Sequence, residues 1–259
     1  MAILSITQIF CSFLSPCNPD FAILAVNVLT WVRIMFTGIV KGCGTIRTVS
    51  AKPGLSTLTL IVPPAFLAGI EIGASVAVDG VCLTVTKLET DALLFDVMQE
   101  TLAKTTLGSL RDDDSVNIER AARDGAEIGG HPISGHVDCV GEICNIEQPE
   151  NNYVLSFRVA PEWMKYIFPK GYLALNGTSL TIASVERSEC SFKVWLIPET
   201  LRMTTFGQKK VGDMVNLEIE RGTQVMVDTV RNFMEEKLGT ALPKIEGLLK
   251  QFGIGLDLN

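Results

Sequence analysis

From Met35 to about residue 130 the chain runs in short stretches of alternating apolar and polar residues. Gly44-Thr-Ile-Arg-Thr-Val49, Ser56-Thr-Leu-Thr-Leu-Ile-Val62 and Leu93-Leu-Phe-Asp-Val97 are examples, punctuated by Gly, Pro and Asp. Runs of this length and period predict a small antiparallel barrel or sandwich rather than βαβ units. Asp79-Gly80 separates Ser75–Val78 from Cys82–Thr86, and Asn176-Gly177 separates Tyr172–Leu175 from Ser179–Ile182. Asx followed by Gly tolerates positive φ at both positions, so each pair predicts a tight hairpin. After each turn Leu and Val or Ile alternate with small polar residues. Cys82, Thr84 and Thr86, or Ser179 and Thr181, therefore share one strand face, which is either solvated or lines a cleft.

The two hairpins belong to a longer repeat. Phe36-Thr-Gly-Ile-Val40 matches Ile133-Ser-Gly-His-Val137, and Phe95-Asp-Val-Met-Gln-Glu-Thr-Leu102 matches Phe192–Leu201, which is two residues longer. Thr105–Gly108 matches Thr204–Gly207, and Val116-Asn-Ile-Glu119 matches Val215-Asn-Leu-Glu218. Order and spacing hold throughout, which predicts two domains, 35–131 and 132–224. Pro64–Ala68 and Glu162–Ile167 predict one helical turn at matching places, closing one end of each barrel. Beyond the repeat, Val227, Val230, Phe233, Met234 and Leu238 fall at helical spacing opposite Asp228, Arg231 and Glu235. That stripe either packs on its own barrel or joins copies of the chain. Pro243 is expected to end the helix, with a looser one over 244–252 in the tail of a terminal segment 225–259.

Residues 1–34 lie outside the repeat. They fit neither a secretory signal nor a transit peptide, and Phe21–Val32 is too short to span a bilayer. Translation is expected to start at Met35. With 22 basic and 29 acidic residues the net charge of −7 argues against a nucleic-acid footprint, which needs clustered Lys and Arg. Asp112-Asp-Asp114 reads as a solvated turn. Seven cysteines, an odd number without scaffold spacing, place the chain in a reducing, cytoplasmic setting.

Gly38, Gly42 and Gly44 make no dinucleotide fingerprint, because no strand–Gly-rich turn–helix unit surrounds them. His131 and His136 are the only histidines, and their spacing to Cys139 is not a standard zinc pattern, so no metal is expected. His136 takes the place of Ile39 in the first copy, and Ser179 the place of Cys82. Such exchanges mark chemical differences between two otherwise equivalent pockets. Neither Cys82 nor Ser179 has a nucleophile-elbow context, and Cys82 also reads as a small buried hydrophobe. Asp96, Glu100 and Glu199 either hold hydroxyls or cap the segments that follow.

Met35-Phe-Thr-Gly-Ile-Val40, Gly73-Ala-Ser-Val76, Gly80-Val-Cys-Leu-Thr-Val-Thr86, Glu127-Ile-Gly-Gly-His131, Ser134-Gly-His-Val137, Asn176–Thr181, Ile197-Pro-Glu-Thr-Leu201 and Val227-Asp-Thr-Val230 resemble the riboflavin synthases of the alpha-chain type. The resemblance runs from Met35 to about Phe233. It implies two six-stranded Greek-key barrels and a C-terminal helix that joins three chains. It also implies dismutation of two 6,7-dimethyl-8-ribityllumazines to riboflavin and a ribitylaminopyrimidinedione, without a cofactor or a membrane. Carried over, the first half-site is Gly38, Ile39, Val40, Ser75, Cys82, Leu83, Thr84, Asp96, Val97, Met98, Gln99, Glu100, Thr101, Gly135, His136 and Val137. The second is Lys170, Ser179, Leu180, Thr181, Trp195, Leu196, Ile197, Pro198, Glu199 and Thr200. His136, Cys82, Ser75, Ser179 and Glu220 are the expected catalytic groups, with His136 suited to proton transfer and Cys82 or water to addition at a ring. Glu220 stands where the family usually has aspartate. By resemblance the first barrel of one chain faces the second barrel of its neighbour in a trimer. A non-catalytic fluorescent antenna on the same barrels is the rival reading, and association with lumazine synthase is left open.

Overall fold

The computed structural model describes residues 36–123, 125–150 and 152–239, and for Leu238 the backbone alone. The segment 1–34 and the looser helix expected over 244–252 lie outside them. Strands β1 (Gly42–Lys52), β2 (Leu55–Ile61), β3 (Ser75–Val78), β4 (Val81–Leu88), β5 (Ala92–Met98) and β6 (Ser115–Arg120) close a first antiparallel barrel in the order β1-β2-β5-β4-β3-β6. Strands β7 (Cys139–Glu147), β8 (Tyr153–Arg158), β9 (Tyr172–Leu175), β10 (Thr178–Glu186), β11 (Ser191–Leu196) and β12 (Met214–Ile219) close a second one the same way. Closure leaves neither sheet with a free edge.

Each core follows from the period-two pattern. Ile46, Leu58, Leu60, Val85, Phe95 and Val116 fill the first barrel, and Leu155, Phe157, Phe192, Val194 and Val215 the second. The short segments at matching places are α1 (Pro64–Leu67), whose Phe66 joins the first core, and a 3-10 turn over Pro161–Tyr166, whose Met164 and Tyr166 join the second. Each fifth strand of a barrel runs into a six-residue helix, α2 (Gln99–Lys104) or α3 (Pro198–Met203).

The Asx-Gly turns adopt the doubly positive φ expected of them: 43° and 79° at Asp79 and Gly80, 42° and 77° at Asn176 and Gly177. Their tips meet where the barrels touch. A Cβ on Gly80 would stand 2.5 Å from the Gly177 nitrogen, so glycine is required there for approach as well as for conformation. Asn117 donates from Nδ2 to the Asn176 carbonyl, and Asn216 from Nδ2 to the Asp79 carbonyl, at 2.9 and 2.8 Å. Phe36 and Ile133 exchange backbone hydrogen bonds of 2.9 and 3.0 Å and, with Ala77 and Ala174, form a small apolar core of their own.

Helix α4 (Arg221–Gly239) follows β12 directly. Its Val227 packs against the second core, and Asp228 accepts hydrogen bonds from the Tyr166 hydroxyl at 2.7 Å and from Lys165 Nζ at 3.0 Å. Asp228 was expected on the solvated face, opposite the apolar stripe. It lies instead on the anchored face, because the barrel surface next to α4 offers a phenol and an ammonium. Val225, Met226, Val230, Phe233 and Met234 are left exposed.

Candidate active site

The leading segments of the two copies cross. Gly38, ahead of the first barrel, accepts at its carbonyl a 2.9 Å hydrogen bond from the Ser179 backbone N–H in the second. Gly135, ahead of the second barrel, accepts an equal bond from the Cys82 N–H in the first. A Cβ at Gly135 would lie 2.5 Å from that of Cys82, and one at Gly38 2.6 Å from that of Ser179. Each polar strand face is therefore bordered by a segment from the other copy. One expected grouping needs correction: Gly38, with Ile39 and Val40 following it, is expected beside Cys82 and lies instead against Ser179, whereas Gly135 lies against Cys82, the strand it is expected to border.

On the first barrel Cys82 and Thr84 alternate outward on β4, as their period predicts, and Ser75 pairs with Thr84 from β3. Asp96 stands one residue beyond the Val85–Phe95 pair, beside Thr84, and accepts a 2.6 Å hydrogen bond from Thr57. Met98 is exposed at the end of the same strand. His136 is exposed, and its backbone N–H donates to Ser134 Oγ at 3.2 Å. Burial pushes the Cys82 thiol up; the Ser75 hydroxyl pulls the other way, and the charge of Glu218 adds to the rise. The thiol is thus protonated at neutral pH, unlike the thiolate that a reactive cysteine needs.

The second barrel repeats this layout with different chemistry. Ser179 and Thr181 face outward on β10, Tyr172 pairs with Thr181 where the first copy has Ser75, and Trp195 stands exposed beside Thr181. His131, only 5 % exposed, places Nδ1 2.7 Å from Ser179 Oγ and stacks its ring on Tyr172 at 5.7 Å. Its Nε2 is buried without a protein partner among the described residues. Burial lowers the His131 pKa, with the charge of Glu220 acting against that shift. Gly130 lets this loop settle, since a Cβ there would be 2.3 Å from the Thr37 carbonyl oxygen and 2.7 Å from Ser179 Cβ. Lys170 holds φ at 67°, where the first copy uses Gly73.

Several other expected residues lie inside the barrels or open the helices that follow the strands. Leu83, Val97, Leu180 and Leu196 turn into the barrel cores, as alternation with their outward neighbours requires. Gln99, Glu100 and Thr101 open α2, and Pro198, Glu199 and Thr200 open α3; Glu100 pairs with Lys104 and Glu199 with Arg202 across one turn. Ile197 is exposed ahead of α3. Glu220 caps α4, its carboxylate accepting from the N–H groups of Gly222 and Thr223 at 2.8 and 2.6 Å and from the Thr223 hydroxyl at 2.8 Å. Burial disfavours its charge, but these donors hold its pKa below the usual value. Sequence reasoning missed the contact of His131 with Ser179, and missed Glu119 and Glu218. The latter are 3 % and 4 % exposed carboxylates that hold the crossing segments. Their signal was the Asn-x-Glu retained inside an apolar strand in both copies. Among the described residues no three His, Cys, Asp or Glu side chains form a metal-binding group.

The family model of the lumazine binding domain matches twice, over residues 37–121 and 134–220. The riboflavin synthase of Escherichia coli (strain K12) is 46 % identical over 201 residues, covering 77 % of this chain and 93 % of its own length. That of Buchnera aphidicola subsp. Schizaphis graminum is 44 % identical over 207 residues, covering 80 % of this chain and 99 % of its own. Among solved structures, LumP complexed with 6,7-dimethyl-8-(1'-D-ribityl)lumazine superposes with a TM-score of 0.65, and LumP complexed with riboflavin with 0.67. Both are 24 % identical, match 72 % of this chain and 100 % of theirs, and show that the fold is shared. Two copies of the domain, joined in one chain and matched along nearly the full length of these relatives, establish the assignment: the chain belongs to the riboflavin synthase family of duplicated lumazine-binding barrels.

Proposed function

We propose that this chain catalyses the riboflavin synthase reaction, in which one 6,7-dimethyl-8-ribityllumazine gives a four-carbon unit to another. The products are riboflavin and 5-amino-6-ribitylaminouracil. The observation that carries this reading is the pair of half-sites, equivalent in backbone and unequal in chemistry: Cys82, Ser75 and His136 on one, Ser179, Tyr172 and His131 on the other. A reaction that uses two identical molecules in different roles needs that combination. The antenna reading expects one decayed half-site, whereas both retain outward hydroxyls, Thr84 on β4 and Ser179 with Thr181 on β10.

Each ring would lie on an outward strand face, with Thr84 and Asp96, or Thr181 and Lys170, in reach of a ribityl chain. His136, exposed and on the segment hydrogen-bonded to Cys82, takes the proton from an acidified ring methyl. The protonated Cys82 thiol serves as a hydrogen-bond donor, which leaves water as the nucleophile that adds to the other ring. His131 orients the Ser179 hydroxyl. Glu220 acts on this site through His131 rather than by contact. Holding two rings face to face supplies rate by proximity. The exposed face of α4 supports a homotrimer in which two chains complete each site. The five free thiols among the described residues support a reducing, cytoplasmic setting, and no helix among them is long and apolar enough to cross a membrane. Association with lumazine synthase would be a further partnership.

The test separates catalysis from binding. Cys82→Ala with His136→Ala, and separately Ser179→Ala with Thr181→Ala, are each expected to abolish turnover while halving the riboflavin bound per chain. Turnover surviving the loss of either half-site would refute the two-site reading.

A further inference from the structure

Glu218, on β12, accepts at Oε1 from both the N–H and the hydroxyl of Ser134, each at 2.7 Å, and at Oε2 from the Gly135 N–H at 2.9 Å. Ser134 Oγ then receives the His136 N–H, and the Gly135 carbonyl receives the Cys82 N–H at 2.9 Å. Glu119, on β6, repeats the pattern with Thr37 and Gly38 at 2.7, 2.7 and 3.1 Å, and the Gly38 carbonyl receives the Ser179 N–H. Three donors converge on each carboxylate in a place where water is excluded, and charge-assisted bonds of this kind are the stronger class. We propose that Glu218 and Glu119 are crossed positioning residues: each is rooted in one barrel and sets the reacting geometry of the half-site on the other.

The consequence is specific. Glutamine in place of Glu218 turns an amide N–H group toward the Gly135 N–H or toward Ser134, so at least one donor loses its acceptor. The loosened segment carries His136 and the carbonyl of Gly135 that receives the Cys82 N–H from outside its own barrel. The first half-site therefore responds to a change made in the second barrel. The second half-site responds to Glu119 by the same route.

This inference rests on the functional reading for its meaning, but the following test needs no substrate. Alkylation of Cys82 by iodoacetamide is followed by peptide mass spectrometry on the full chain. Glu218→Gln is expected to speed labelling about tenfold or more, as the loss of a buried charge-assisted bond implies, and Glu119→Gln to leave it within about twofold. Because the Glu218 charge itself raises the Cys82 pKa, Ser134→Ala is the second arm. It keeps the carboxylate and removes its hydroxyl partner, and it too is expected to accelerate labelling. Equal effects of Glu119→Gln and Glu218→Gln, no effect of Glu218→Gln, or acceleration by Glu218→Gln without acceleration by Ser134→Ala would each overturn the assignment. If Glu218→Gln does not fold, Ser134→Ala against Thr37→Val gives the same comparison. Riboflavin should slow labelling of the wild-type Cys82, and failure of that protection alone would count against the functional reading and leave the positioning role standing.

Discussion

Asp79 stands where the second copy has Asn176, and the exchange matters because the site is buried between the barrels. Burial raises the Asp79 pKa from 3.8 to about 6, while the Asn117 N–H and then Lys209 oppose the shift and Asp114 adds to it. Below pH 3.8 the carboxyl is protonated in folded and unfolded chains alike and its burial costs little. Above that value the unfolded carboxyl ionises while the folded one keeps its proton, so stability is lost as pH rises through about 6. Asn176 shows that an amide fits this turn and can still accept from the facing strand. Asp79→Asn should therefore stabilise the chain at pH 7.5 by up to about 3 kcal/mol, with little gain near pH 4. Urea unfolding at both values checks this, and equal stabilisation at both would contradict it. At the second half-site His131→Ala and Ser179→Ala should each lower turnover about tenfold, as the loss of one orienting hydrogen bond implies, and the double variant should be no worse than either single one, since the pair acts as one unit. Additive losses would separate their roles. The exchange of His136 with Ile39 could be read from the sequence. The contact of His131 with Ser179 could not, because the two are 48 residues apart and the close approach depends on Gly130.

Strands and their outward faces were the most legible elements, since alternation with period two states directly which residues share a face. Cys82 with Thr84, and Ser179 with Thr181, came out as read. Inward neighbours such as Leu83 and Leu196 entered the expected site only by resemblance, and the same alternation removes their side chains. The α4 helix was legible in existence but not in orientation. Its pattern could not reveal that Tyr166 and Lys165 would claim Asp228 and leave Val225, Met226, Val230, Phe233 and Met234 uncovered. If that face joins chains, Met226→Asp with Phe233→Asp should reduce the solution mass to that of one chain and abolish turnover, while the far-ultraviolet circular dichroism of the barrels is kept. Wild-type mass and activity in that variant would show that α4 makes no assembly contact.

At the scale of the whole molecule, duplication was plain in the sequence, but the crossing of the two copies was not. Order and spacing cannot say that Gly38 lies against Ser179 and Gly135 against Cys82, because each segment lies next to its own barrel in the chain; the resemblance alone put Gly135 with Cys82. The contact that fixes this arrangement can be isolated with two glycines of the same φ, 79°. Gly54 has open space around its missing Cβ, whereas Gly80 abuts the Gly177 backbone. Alanine should cost about 1 kcal/mol at Gly54, the conformational term alone, and on the order of 3 kcal/mol or more at Gly80. Equal losses would mean that the turns are not held in contact.

The central claim is that two unequal half-sites on one duplicated chain convert two copies of one molecule. Purified chain given 6,7-dimethyl-8-ribityllumazine alone, with a chelator present, should produce riboflavin and 5-amino-6-ribitylaminouracil in equal amounts, one of each for every two lumazines consumed. Lumazine recovered unchanged from a tight fluorescent complex would contradict it.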